Sequence, residues 1–248
     1  MTFNVAADAY DRFMGRYSLQ LSPQLADLAG VQAGQRVLDV GCGPGALTGE
    51  LVARGAEVSA ADPSEPFVEA IRERYPDVDV RRAAAEELPF ADDEFDAALA
   101  QLVVHFMSDP VAGLREMARV SHGVVAACVW DHAGDRTPLA PFWRAARELD
   151  PDAPDESGMA GGREGHLSEL FAAAGLSDIA ETALPVRVEH ETFEEWWEPF
   201  TLGVGPAGAY LVTLEPERQS ALRESCRSAL AAPFTLAAQA WAARATAY

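Results

Sequence analysis

Val37-Leu38-Asp39-Val40-Gly41-Cys42-Gly43-Pro44-Gly45-Ala46-Leu47-Thr48 reads as a short buried strand, a glycine turn and the start of a helix. Glycines at alternate positions remove side chains where the backbone must bend sharply, and they let a ligand approach the main chain. The helix that follows offers unpaired N–H groups and a partial positive charge at its first turn. The stretch therefore predicts a cofactor cradle.

Neighbouring residues narrow the choice of cofactor. The spacing is G-x-G-x-G, with Ala46 in the slot that holds the third glycine of the dinucleotide fingerprint. Ala46 is small enough to serve that packing role, so the glycines alone leave a nicotinamide-dependent oxidoreductase open. No Gly-Lys-Ser or Gly-Lys-Thr follows, which excludes a phosphate-binding P-loop. Asp39 discriminates better, because a carboxylate at the mouth of the turn repels a pyrophosphate and attracts an ammonium group. Asp62 ends the next apolar run, Val58-Ser59-Ala60-Ala61, roughly 20 residues on, the usual place for a carboxylate that holds a ribose.

Strands and helices alternate outward from this point. Residues 8–29 read as one or two helices, 36–40 as the first strand and 57–61 as the second. Pro63 and Ser64 open a helix carrying Phe67, Val68 and Ile71, and Pro76 stops it. Strand three falls near 78–82 and strand four at 95–100. Asp109-Pro110 has the form of an N-cap with proline at the first helical position, opening a helix to about Val120. Val124–Trp130 is an almost unbroken apolar run, as expected of a central strand buried on both faces. The pattern predicts an α/β protein with a doubly wound parallel sheet.

Past Trp130 the signal weakens. Proline and glycine are frequent over 131–166, an excursion with one helix near 139–149 and a loop at 150–162. A helix is expected at 164–174, a strand where Leu184, Val186 and Val188 alternate with polar residues, a helix capped by Thr192, and another at 215–230. The alanine-rich tail is ambiguous: its composition favours helix, yet its alanines make no helical stripe.

VLDVGCGPG, the AADPS end of the second strand, the segment AAAEELPFADDEFDAALAQLVVHF and the opening AYDRFMGRYS together resemble the class I S-adenosylmethionine-dependent methyltransferases. The likeness is closest to small-molecule enzymes of the ubiquinone/menaquinone-biosynthesis type, the methyltransferase type 11 group, and covers residues 8 to 130. It implies one Rossmann-like domain over 1–248, with a seven-stranded sheet in the order 3-2-1-4-5-7-6. The last strand, 236–246, is implied to be antiparallel. Residues 1–33 become N-terminal lid helices, and 131–166 and 190–230 become cap elements on the acceptor side.

The resemblance also implies roles. S-adenosylmethionine is the expected cofactor and S-adenosylhomocysteine its product. Gly41, Cys42, Gly43 and Gly45 would lie against the methionine moiety, with Cys42 either a small neighbour of the cofactor or a reactive thiol. Asp39 would hold the amino group, and Asp62 would accept both ribose hydroxyls. Pro63 and Ser64 would flank the adenine. Where the family usually has an aspartate this chain has Ala84, followed by Ala85; Glu86 either replaces the missing acceptor or is a salt-bridged surface residue. Gln101 and Leu102 would sit beneath the sulfonium. Arg16 is either the partner of the methionine carboxylate or a surface arginine on the lid. His105, just beyond strand four, is either a general base or a packing residue of the site floor.

Asp131-His132 invites a metal reading, but two adjacent ligands without a third do not make a site, and no metal is expected. Trp143, Trp196, Trp197 and Phe200 are candidates for an acceptor wall or for core. The asparagine-proline-proline-aromatic signature of amino-group methylation is absent after strand four. The expected partner is a small-molecule methyl acceptor; a non-catalytic cofactor-binding module of the same fold is the other alternative.

Bulk properties agree. The formal charge of −20 disfavours nucleic acid as a partner. The 3 cysteines, Cys42, Cys128 and Cys226, form neither a disulfide framework nor a metal pair. No run approaches the ~20 apolar residues of a membrane span, and the start of the chain does not read as a signal peptide. The expectation is a cytoplasmic monomer or homodimer, with no membrane partner.

Overall fold

The computed structural model describes residues 7–154 and 156–247. Helix α1 (Ala7–Tyr10) passes through a π turn at Asp11–Gly15 into α2 (Arg16–Ala29), which ends where Gly30 turns left-handed. Then come β1 (Arg36–Val40), α3 (Ala46–Ala53), β2 (Glu57–Asp62), α4 (Glu65–Arg74), β3 (Asp79–Arg82), β4 (Phe95–Gln101), α5 (Pro110–Val120) and β5 (Ser121–Trp130). The second half contains α6 (Ala140–Leu149), α7 (His166–Ala173), β6 (Ser177–His190), α8 (Phe193–Trp197), α9 (Gly205–Thr213), α10 (Pro216–Ala229) and β7 (Phe234–Thr246).

The strands form one seven-stranded sheet in the order β3-β2-β1-β4-β5-β7-β6. β1 pairs in parallel with β2 (Val37 opposite Val58) and with β4 (Leu38 opposite Ala98). β7 runs antiparallel to both of its neighbours, with Cys128 of β5 opposite Ala242 and Val186 of β6 opposite Ala238. The alanine tail is thus a strand: bonding along both edges outweighs the helical preference of alanine.

Alternation along the strands divides the core. Val37, Leu99 and Ala126 face a cluster with Leu21 and Leu25 of α2 and Leu51 of α3. Leu38, Ala98 and Val125 face the other way, onto Leu114 and Met117 of α5 and Leu167 and Phe171 of α7. Both faces are covered, which is why these strands read as continuous apolar runs. Asp109 caps α5, its carboxylate accepting from the Ala112 N–H at 3.0 Å, and Thr192 caps α8 from the Glu195 N–H at 3.3 Å.

Three elements differ from the sequence expectation. β5 starts at Ser121, three residues before the apolar run, because Ser121 pairs with Phe95 on β4. β6 begins at Ser177 rather than Leu184; its first half is a half-exposed edge, so it carries no strong apolar alternation. α9 has no counterpart in the sequence reading, since Gly205-Pro206-Ala207-Gly208 masks its periodicity. The expected lid segment also includes residues 1–6, which lie outside the described residues.

Candidate active site

The carboxyl ends of β1, β2 and β4 open onto a cavity of about 250 Å³. Its floor and walls come from the turn after β1 (Gly41, Gly43), the end of β2 and start of α4 (Asp62, Pro63, Ser64, Phe67), the segment Ala84–Glu86, and the residues after β4 (Gln101, Leu102, Val103, Phe106–Ser108). Tyr10 of α1 closes the rim, and its ring meets Phe67 edge-on at 5.5 Å.

The glycine turn has to be glycine. Gly43 has φ +52°, and a Cβ there would meet nothing within 4 Å, so the backbone faces open space. Gly45, φ +102°, is packed instead: a Cβ would lie 2.6 Å from Ile71 Cδ1 and 3.0 Å from the Tyr75 ring, both on the α4 side. The turn is bonded back to β2 through the Gly41 N–H and the Ala61 carbonyl, 2.7 Å.

Asp62 is 6% exposed. Its two carboxylate oxygens accept from the Gly43 N–H at 2.9 Å and the Ser64 N–H at 2.8 Å. Burial raises its pKa while those two N–H groups oppose the shift. The carboxylate is fixed in orientation and keeps further lone pairs toward the cavity it lines.

Asp39 stands behind the turn, 1% exposed, and accepts from the Thr48 hydroxyl of α3 at 2.7 Å. Burial pushes its pKa up to about 7, against the pull of the Thr48 bond. Glu86 lines the cavity and accepts the N–H groups of Ser108 (2.6 Å) and Asp109 (3.2 Å), so it secures the loop that ends β4 rather than forming a surface ion pair. Gln101 donates through Nε2 to the Ser18 carbonyl of α2 at 3.2 Å. Its Oε1 is buried without a hydrogen-bond partner among the described residues.

Of the residues singled out from sequence, Gly41, Gly43, Asp62, Pro63, Ser64, Ala85, Glu86, Gln101 and Leu102 are brought together around this cavity. Gly45 and Asp39 support it from behind. Cys42 turns into an apolar cluster with Ala60, Val68, Ile71 and Val80, and burial raises its thiol well above the ordinary value, which removes the reactive-thiol alternative. Arg16 stands apart. Its guanidinium donates to the Glu189 carbonyl at 2.6 Å and pairs with Glu195 at 3.4 Å, because those acceptors on and after β6 lie beside the first turn of α2.

His105 follows β4 in a short 3₁₀ turn; its Nδ1 is sealed and unpartnered among the described residues. Its ring lies 5.4 Å from that of His132, and burial, then the His132 neighbour, lowers its pKa well below the ordinary value. Sequence reasoning missed Tyr10, Phe67, Val103, Phe106, Met107 and Ser108. Tyr10 had a signal in AYDRFMGRYS; the others read as ordinary packing residues.

The aromatic candidates are core. Phe142 stacks on Phe200 at 4.8 Å, and Trp196 donates to the Pro138 carbonyl at 3.2 Å. Trp143 donates to buried Glu156. Asp131 is committed to a turn, accepting from the Gly134 N–H at 2.9 Å and pairing with Arg136. No group of metal-ligating side chains occurs among the described residues. The 3 cysteines are all free and buried, and no described helix is long and apolar enough to cross a membrane.

A family model described as a methyltransferase domain matches residues 38–126, which hold the glycine turn, Asp62 and the end of β4. A demethylmenaquinone methyltransferase of Paenarthrobacter aurescens is 30% identical over 175 residues, 62% of this chain and 67% of that protein. The chain belongs to the methyltransferase family. An uncharacterized methyltransferase of Mycobacterium tuberculosis is 36% identical over 137 residues, 55% of this chain; the match spans about half of that relative, 54%. The crystal structure of the YcgJ protein of Bacillus subtilis is similar in fold, with a TM-score of 0.59 at 21% identity over 93% of this chain and 97% of that one.

Proposed function

We propose that the chain transfers a methyl group from S-adenosylmethionine to a small organic acceptor. The observation that carries this reading is Asp62: a carboxylate held rigid by two backbone N–H groups at the rim of a cavity that opens beside a glycine turn. A pyrophosphate would be repelled by Asp39 and Asp62 together, whereas a ribose diol and an ammonium group suit them.

The residues present fit such a cofactor. Asp62 would accept the ribose hydroxyls, and Asp39 the amino group, directly or through water. Gly43 leaves the backbone bare for the methionine moiety, and Gly41 makes room for Val103, whose Cγ2 would lie 2.5 Å from a Cβ there. Pro63, Ser64, Ala85 and Glu86 would border the adenine, and Gln101 and Leu102 the sulfonium. When bound, S-adenosylmethionine supplies a methyl already activated by positive charge on sulfur.

The chain's own task is then alignment and exclusion of water. Tyr10 and Phe67 roof the cavity, and Glu86 fixes the Ser108–Asp109 loop that walls it. Gln101 Oε1 presents an acceptor with no other partner, and the Ser18 carbonyl sets the orientation of its amide. His105 is the proposed base: burial keeps its imidazole neutral at physiological pH, and with Nδ1 sealed it is the other ring nitrogen of the half-buried side chain that would take a proton from the acceptor. Acidic charge and free cysteines accord with a cytoplasmic location. The test is incubation of the purified chain with methyl-labelled S-adenosylmethionine and a mixed metabolite extract. The expected result is label in a small-molecule product; label remaining wholly on the donor, under conditions where the cofactor binds, overturns the proposal.

A further inference from the structure

Arg74, the last residue of α4, joins the glycine turn to the N-terminal segment. Its Nη1 donates to the Pro44 carbonyl in the glycine turn at 2.8 Å. Its Nη2 pairs with the Asp11 carboxylate at 2.7 Å, and Asp8 follows at 3.8 Å. Asp11 is the residue after Tyr10, which roofs the cavity and rests on Phe67 of the same helix. α4 thus grips the N-terminal segment at both ends, by a ring at Phe67 and by a guanidinium at Arg74. The planar fork of arginine serves both partners at once; a lysine ammonium, a point charge, does so poorly.

Resting on the cofactor reading above, we propose that Arg74 is a positioning residue that latches the Tyr10 segment shut over bound cofactor and ties that latch to the glycine turn. Release of cofactor then requires the Asp11–Arg74 pair to open first. The pair is 34% exposed on the Asp11 side and 40% on the Arg74 side, open enough to part without unfolding the sheet. Because the latch acts after cofactor enters, it governs dissociation rather than association.

The experiment is stopped-flow displacement of S-adenosylhomocysteine from the full chain, with melting temperatures of the ligand-free proteins in parallel. Arg74→Met is expected to raise the dissociation rate roughly tenfold and to change the association rate less than about twofold. Asp11→Asn, which keeps the Pro44 bond, gives a smaller rise of roughly threefold, and Arg74→Lys restores part of the loss. The wild-type dissociation rate rises with ionic strength, and that of Arg74→Met does not. Dissociation rates within about twofold of wild type in both Arg74→Met and Asp11→Asn, with S-adenosylhomocysteine still bound, overturn the latch alone. No binding by the wild-type chain overturns the cofactor reading, and the latch with it.

Discussion

Two regions of the molecule, the cavity beside the glycine turn and the helices α6 and α8 to α10, are built on different principles. The cofactor side is mostly backbone: a glycine turn, two N–H groups on Asp62 and the ends of three strands. The helical region, α6 with α8 to α10, is mostly side chains, an aromatic pack of Phe142, Trp143, Trp196, Trp197 and Phe200. Backbone geometry demands particular residue types at particular positions, so it leaves a mark in the sequence. Apolar packing accepts many solutions and leaves only a period.

If that contrast is real, the two regions fail differently. Phe142→Ala empties a fully buried ring site stacked on Phe200 and should cost about 3–5 kcal/mol of stability by denaturant titration. S-adenosylhomocysteine affinity of the remaining folded protein should stay within about twofold. A large loss of affinity would show that this aromatic packing and the cavity are not separable. Gly45→Ala should cost about 1–3 kcal/mol, because it combines a left-handed φ of +102° with a Cβ 2.6 Å from Ile71 Cδ1. Here affinity should fall together with stability, since the turn itself shifts.

Asp39 gives the finest test. Its folded pKa is raised from 3.8 to about 7, so the folded ligand-free protein holds this proton more tightly than the unfolded chain does. The associated stability is full below 3.8 and is lost as pH rises toward about 7. Asp39→Asn should therefore flatten the melting temperature across that window. A bound ammonium favours the ionised form, so cofactor affinity should increase from about pH 6 to about pH 8 in the wild type and stay level in Asp39→Asn. Parallel profiles would remove Asp39 from the site.

What the sequence disclosed follows the same line. The strand–turn–helix at Val37–Thr48, the capped start of α5 and the carboxylate at the end of β2 are each set by local stereochemistry and were readable. The first half of β6 was not, because Ser177–Ala183 has no buried face to impose an apolar period. α9 was hidden by two glycines and a proline in its first turn. Tyr10 was marked only by the resemblance that AYDRFMGRYS carries, and Arg74 reaches the glycine turn by a tertiary contact that its own helix does not announce. Arg16 shows the converse: a fitting side chain in a fitting segment, drawn away by Glu189 and Glu195, whose position no local pattern reveals.

The central claim is that the Asp62 carboxylate grips an adenosyl ribose beside the glycine turn. Calorimetric titration of S-adenosylhomocysteine into the wild-type chain and into the near-isosteric Asp62→Asn tests it most directly. Saturable binding at one site in the wild type, weakened roughly 100-fold in the variant when both are titrated well below their melting temperatures, is the predicted result. Equal affinity in the two proteins, or no binding to either, would contradict it.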